Sequence, residues 1–252
     1  MNQILIRTEN LSKSFSNGGT MQHILKNIDL DLYEGDFTVI MGASGAGKST
    51  LMYALSGMDT PTLGTITFAG QEISRCSTDE LAVFRRRNCG FVFQQIYLID
   101  SMSLLDNVLA AGLLVSKDKK AVAARARDLF EKAGISEEMQ KKFPAQISGG
   151  EAQRVGIVRG LINSPKILFA DEPTGALNSK TGLDVLDMFS RFHESGQSVV
   201  MVTHDMRSAR RGNRILYLKD GSIIGECRLG RYVHGDMARH EKLSAFLSEM
   251  GW

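Results

Sequence analysis

The sequence predicts an α/β fold into which an all-helical block is inserted. Short apolar, β-rich runs alternate with helical patterns in both the first and last thirds of the chain. The stretch from Ser103 to Leu161 reads as helices alone, and strands resume after it. A buried-type strand, Phe37-Thr-Val-Ile-Met41, stops at a glycine-rich loop that opens a helix. Together these observations argue for an α/β core carrying a helical subdomain.

The elements follow in order. Ile4 to Glu9 and Ile28 to Leu32 alternate apolar with polar residues, as half-buried strands do. Lys48 to Leu55 reads as a helix, and Gly64-Thr-Ile-Thr-Phe68 as a strand after a Pro61/Gly64 turn. Ser77 to Asn88 is a helix opened by a capping box, with Glu80 three residues after Ser77. Lys119 to Gly134 sets Val122, Ala126, Leu129, Phe130 and Ala133 on one stripe and ends at glycine. Ile167 to Ala170 and Val199 to Val202 are strands separated by a helix from about Ser179 to His193. Ile215 to Leu218 and Ile223-Ile224 flank Asp220-Gly221, a favoured hairpin turn. Asp236 is placed to cap a helix with Met237, Leu243, Phe246, Leu247 and Met250 on one side, which either packs on its own domain or meets a neighbour.

Composition narrows the classes. Of 252 residues, 43% are hydrophobic and 23% charged, as in ordinary soluble globular proteins. Thirty basic residues nearly balance 28 acidic ones, so no global charge draws the chain to nucleic acid. Cys76, Cys89 and Cys227 lack any CxxC spacing, which fits a reducing compartment. No apolar run approaches the ~20 residues that cross a bilayer, and the N-terminus carries charges too early for a secretory leader. A soluble chain is expected, reaching any membrane through a partner.

Gly42-Ala43-Ser44-Gly45-Ala46-Gly47-Lys48-Ser49 satisfies GxxxxGK followed by Ser or Thr, the P-loop pattern. Small residues let backbone N–H groups curl around phosphate oxygens, and the following helix aims its positive end at them. Lys48 supplies a point charge, the Ser49 hydroxyl suits Mg²⁺, and Thr50 adds a bond to the inner phosphate. Downstream, Ile167-Leu-Phe-Ala170 ends in Asp171-Glu172. Because a strand reverses side-chain direction at each step, the two carboxylates take different jobs. Asp171 is read as the Mg²⁺ partner and Glu172 as the group polarising an attacking water. Gln94 and His204 each end a central strand, where ligand chemistry gathers in open α/β sheets.

Ile147-Ser148-Gly149-Gly150-Glu151, followed by Ala152-Gln153-Arg154 and an apolar helix, resembles the ABC ATPase signature LSGGQ. The motifs fall in family order from about Ile4 to Ile224. The resemblance implies a P-loop NTPase (RecA-like) core with an antiparallel β subdomain and an inserted α-helical subdomain. On that likeness residues 1–230 form the ATPase domain, with the core and β subdomain at 1–94 and 162–230, the helical subdomain at 95–161, and a helical extension at 231–252. It implies ATP and Mg²⁺ as ligands, and a dimer in which Ser148, Gly149 and Gly150 of one copy close over ATP held by the other. Phe15 would stack on adenine, Gln94 would link Mg²⁺ and water to the membrane-facing groove, and His204 would contact the terminal phosphate. Glu151 stands where glutamine is usual, and Asn178 where aspartate usually crosses the dimer interface. GASGAGKSTLM, GFVFQQIYLI, ISGGEAQR and FADEPTGALN are most similar to the macrolide-export, lipoprotein-release and bacitracin-resistance branch. That branch implies a peripheral subunit at the cytoplasmic face, paired with an integral-membrane permease bearing a large extracytoplasmic domain. Gln95 to Leu105 would line the groove that receives the permease, or else be internal core.

Other features have plainer readings. Arg85-Arg86-Arg87 reads as a solvated helix face, and the twelve methionines as core filler. His23, His193, His234 and His240 lack ligand spacing. A soluble ABC ATPase of DNA repair or translation is the alternative, yet the chain has no tandem cassette, zinc insertion or coiled-coil arm. A switch GTPase would show an NKxD segment, and none occurs.

Overall fold

A computed structural model describes residues 3–252, the side chain of Asn17 excepted. Two sheets carry the fold. The smaller is antiparallel, in order β2-β1-β4-β5, from β1 (Ile4–Asn17), β2 (Thr20–Tyr33), β4 (Leu63–Phe68) and β5 (Gln71–Glu72). The larger runs β10-β9-β3-β8-β7-β6, from β3 (Phe37–Met41), β6 (Cys89–Phe93), β7 (Ile167–Asp171), β8 (Ser198–Val202), β9 (Arg214–Lys219) and β10 (Ser222–Arg228). Its inner pairings are parallel, and only the β9–β10 hairpin edge is antiparallel. Asp220 and Gly221 both take positive φ (49° and 83°), as a two-residue hairpin turn of this hand requires.

β3 and β8 are buried at every position, Thr38 and Ser198 included, because both faces of the large sheet are covered. Successive residues feed two different cores. Val39, Leu168, Val199, Met201 and Ile215 face one cluster; Ile40, Phe169, Val200, Val202 and Leu216 face the other. The first is closed by α3 (Leu104–Gly112), α4 (Lys119–Lys132), α6 (Gly149–Leu161), α7 (Ser179–Glu194) and α9 (Met237–Glu249). The second is closed by α1 (Lys48–Leu55), α2 (Thr78–Asn88) and the antiparallel sheet. Two short helices, α5 (Glu137–Gln140) and α8 (Met206–Ala209), complete the set.

The predicted stripe of α4 is buried at all five positions, and Ser77 and Glu80 form the expected capping box. Three expectations change. β1 runs eight residues beyond Glu9, because bulges around Asn10 (φ 51°) break the alternation while the pairing continues. Arg85 is not solvated with its neighbours; its guanidinium donates to the Gly57 carbonyl at 2.5 Å. Met237 is 65% exposed and leaves the apolar face of α9, whereas Leu243 and Leu247 join the first core.

Candidate functional site

Four parallel strands end side by side, and each delivers part of the site. After β3 comes the glycine-rich loop, after β6 Gln94, after β7 Glu172, and after β8 Thr203 and His204. The loop passes close under the sheet edge: a Cβ on Gly42 would lie 2.1 Å from the Leu218 carbonyl. Gly47, at φ 101°, turns the chain into α1 without any side-chain cap, and no acidic residue occupies the first turn. The first N–H groups of α1 are thus left for an external acceptor.

A cavity of about 750 Å³ opens over this end. Ala43, Ser44, Gly45, Gly47, Lys48, Ser49, Thr50, Gln94, Glu172 and His204, all named from sequence, line it together. Gly42 and Ala46 form the loop beneath. Asp171 lies one layer deeper and is reached through Ser49, whose Oγ donates to Asp171 Oδ1 at 3.0 Å. Phe15 stands outside the lining, 44% exposed, with the Lys13 ammonium 4.9 Å from its ring centre. Its strand partner Gln22 does line the cavity, and directly opposed residues share a sheet face. Ser148, Gly149 and Gly150 are not brought to this cavity.

The charges are held under tension. Lys48 is buried, and its Nζ donates to the carbonyls of Gly42 and Ala43, both at 2.9 Å. Burial pulls its ammonium below the usual lysine range, against the opposing pull of Glu172 and Asp171. Burial likewise pushes the Asp171 carboxyl up, while hydrogen bonds from Ser49 and Tyr53 resist. Both groups are shifted toward neutrality, so a phosphate beside one and a cation beside the other would relieve the strain. Burial and the neighbouring Asp171 push the Tyr53 phenol up to about 12.

Glu172 is separated from Asp171 by a mechanism other than strand alternation. β7 stops at Asp171, and Glu172 takes a left-handed φ of 44°, uncommon for a non-glycine residue. Its carboxylate then faces β8. Thr203 Oγ1 donates to Oε2 at 3.0 Å, and the His204 backbone N–H to Oε1 at 3.0 Å. His204 Nδ1 lies 2.7 Å from Oε1, which sets the ring proton on Nδ1 while the carboxylate is ionised. Gln94 abuts Gly175, where an added Cβ would come within 3.0 Å of its amide.

Around Ser148 the arrangement is closed. The Ser148 N–H and Oγ both donate to Glu151 Oε2 at 2.7 Å, and Ser148 Oγ accepts from the Glu151 N–H at 3.3 Å. Those bonds hold the Glu151 carboxyl below its usual range. Gly150 has a packing reason of its own, since a Cβ there would strike Thr181 at 1.8 Å. Asn178 caps α7, accepting from the N–H and hydroxyl of Thr181, each at 3.0 Å.

Sequence reading missed three groups. Tyr53 donates to Asp171 Oδ2 at 3.1 Å. It follows Ser49 by four residues, the spacing that shares a helix face, so that signal was present. Thr203, the neighbour of His204, was legible by position. Trp252 also lines the cavity, and nothing local in the sequence points there.

The fit to Mg²⁺ follows from donor chemistry. The atoms of Ser49, Asp171 and Gln94 able to ligate a cation are a hydroxyl, a carboxylate and a carboxamide oxygen, and among the described residues no group of three His, Cys, Asp or Glu makes an all-protein cage. A hard cation that keeps its waters and shares phosphate oxygens suits such a set.

A family model described as ABC transporter matches residues 25–175. The chain is 41% identical over 226 residues to a macrolide export ATP-binding/permease protein, MacB 1/2, of Paracoccus denitrificans, which covers 90% of this chain. It spans only about a third (34%) of that relative's length. It is 42% identical over 222 residues to the lipoprotein-releasing system ATP-binding protein LolD of Aquifex aeolicus, covering 88% of this chain and 97% of the relative. A solved dimeric structure, the ATP-binding cassette MJ0796 in a post-hydrolysis state bound to ADP and Pi, superposes with a TM-score of 0.83. That cassette is 38% identical and is covered over 100% of its length, against 90% of this chain.

Proposed function

The chain belongs to the ABC transporter family, and from that premise we propose that it is the ATP-hydrolysing subunit that energises a membrane permease. The observation that carries the reading is the uncapped start of α1, set in a glycine loop beside Lys48 and opposite Glu172. ATP would lie with its phosphates on the loop N–H groups and Lys48, and its base toward Phe15. Ser49, Asp171 and Gln94 would hold Mg²⁺, which when bound neutralises charge on the phosphate oxygens. Glu172 would accept a proton from water as the water oxygen bonds the terminal phosphorus and the bridging oxygen leaves with ADP. His204 would steady the terminal phosphate. Ser148, Gly149 and Gly150 of a second copy would close the site, consistent with these residues not lining this chain's own cavity.

Among the described residues no helix is long and apolar enough to cross a membrane, so the permease is proposed as a separate partner or a separate part of the protein. The likeness to macrolide-export and lipoprotein-release proteins supports a permease with a large extracytoplasmic domain, with this chain at the cytoplasmic face. The docking surface we assign is the loop after Gln94. Tyr97 and Ile99 are 64% and 49% exposed, while Leu98 packs on the core. Arg159 holds the loop by donating to the carbonyls of Tyr97 (2.5 Å) and Ile96 (2.7 Å). Leu98 is therefore unsuited to a docking test, and Tyr97 suited to it.

One experiment tests both halves. Glu172→Gln should slow hydrolysis on the order of 10²- to 10⁴-fold and trap an ATP-dependent dimer on size exclusion. Adding Tyr97→Asp should leave that dimer intact and abolish co-purification with the permease. Normal hydrolysis by the single variant would refute the role of Glu172. Retained assembly by the double variant would refute the docking loop.

A further inference from the structure

The last helix is docked firmly onto the core. The buried Arg239 donates to the carbonyls of Arg210 (2.7 Å), Leu229 (2.9 Å) and Gly230 (3.0 Å), and stands over the Tyr232 ring. Leu243 and Leu247 enter the first core. β10 is bare where the helix crosses it, since a Cβ on Gly225 would lie 2.6 Å from the Met250 sulfur.

α9 then ends in a Schellman cap. Gly251 takes φ 81°, its N–H donates to the Ser248 carbonyl at 3.1 Å, and the Trp252 N–H donates to the Leu247 carbonyl at 3.0 Å. That cap fixes the backbone of Trp252, and its ring meets Tyr217 edge-on at 6.2 Å. Tyr217 pairs with Met41, the residue just before the glycine loop. The indole therefore forms a wall of the same cavity as Ala43, Ser44, Gly45 and Lys48, and stays 45% exposed.

We propose that Trp252 is a nucleotide contact, its ring covered by the bound adenosine polyphosphate and adding to its affinity. The inference rests on the ATP reading above. A half-exposed indole leaves apolar area in water, and a ligand filling the cavity removes it. The docking of α9 means the ring is already positioned, so little ordering opposes the contact.

The chain has a single tryptophan, so its selectively excited indole emission reports this position alone. With wild-type protein and Mg²⁺-free ATP, the emission should change and acrylamide quenching should fall, saturating where calorimetry shows binding saturate. Trp252→Ala should weaken ATP binding about three- to tenfold, and Trp252→Phe by less, with nucleotide-free melting unchanged. Binding by Trp252→Ala as tight as wild type, or tighter, overturns the proposal. So does calorimetric binding without any change in emission or quenching. If Trp252→Ala melts early, the wild-type quenching titration decides: protection by ATP upholds the contact and its absence overturns it. A wild type that binds no ATP by calorimetry sinks the nucleotide reading itself, which is a distinct result.

Discussion

Two helices of this chain begin at small-residue motifs read as phosphate sites, and they begin differently. α1 starts at Gly47 with its first N–H groups unclaimed by any side chain. α6 starts at Ser148 inside a closed capping box, with the Glu151 carboxylate against Ser148. Every other α-helix among the described residues also opens on a capping Ser, Asp or Asn. The difference teaches that an anion motif and an available anion site are separate properties. α1 is ready within its own chain. At α6 the Ser148 N–H and hydroxyl already serve the Glu151 carboxylate, so those two donors reach another ligand only by exchange.

The largest expected effect lies at the open end. Lys48→Ala should weaken ATP binding about a hundredfold, the scale of a ~3 kcal/mol charge-assisted contact. Because Lys48 is buried at a cost to its charge, nucleotide-free melting should not fall with it. Near-normal affinity by calorimetry would erase the distinction drawn for α1.

An intermediate effect belongs to the closed end. Ser148→Ala removes a cap worth about 0.5–2 kcal/mol, so melting should drop by a few degrees while ATP affinity of the single chain is kept. In the Glu172→Gln background the ATP-dependent dimer should weaken. A full-strength dimer on size exclusion would remove Ser148 from the shared site.

The smallest effect sharpens the comparison most. Glu151→Gln keeps a capping box but deletes the charge, so stability should shift by no more than about 0.5 kcal/mol. If Glu151 competes with phosphate, the Gln variant should dimerise at several-fold lower ATP. An unchanged ATP requirement would show that the exchange costs nothing and that the two helix ends are equivalent in practice.

Much of the fold was legible because burial writes itself as periodicity. The five-residue stripe of α4 and the unbroken runs of β3, β7 and β8 are cases in which one physical demand fixes every position. β1 was half-read, because a bulge at Asn10 interrupts the pattern without ending the pairing. In the site, residues lying next to one another in a motif were readable, and so was the strand-end logic that selects Gln94 and His204. Long-range bonds were not. The helix face shared by Ser49 and Tyr53 and the adjacency of Thr203 to His204 were readable, but that Tyr53 bonds Asp171, that Thr203 holds Glu172 and that Trp252 lines the cavity depend on where separate elements land. The Glu172 φ of 44° was equally hidden, since alternation predicted the right separation by the wrong means.

α6 has a mechanical consequence beyond its cap. At ~1.5 Å per residue it is a rod about 20 Å long, stiff over its whole length. Its N-terminal half is tied to the sheet where Gln153 donates to the Phe93 carbonyl at 3.0 Å, one residue before Gln94. Its far end grips the carbonyls of Ile96 and Tyr97 through Arg159. The buried residues Val155, Ile157, Val158 and Leu161 fix the same helix against the first core. One stiff element thus joins the Ser148 motif to the strand that carries Gln94 and to the loop that follows it.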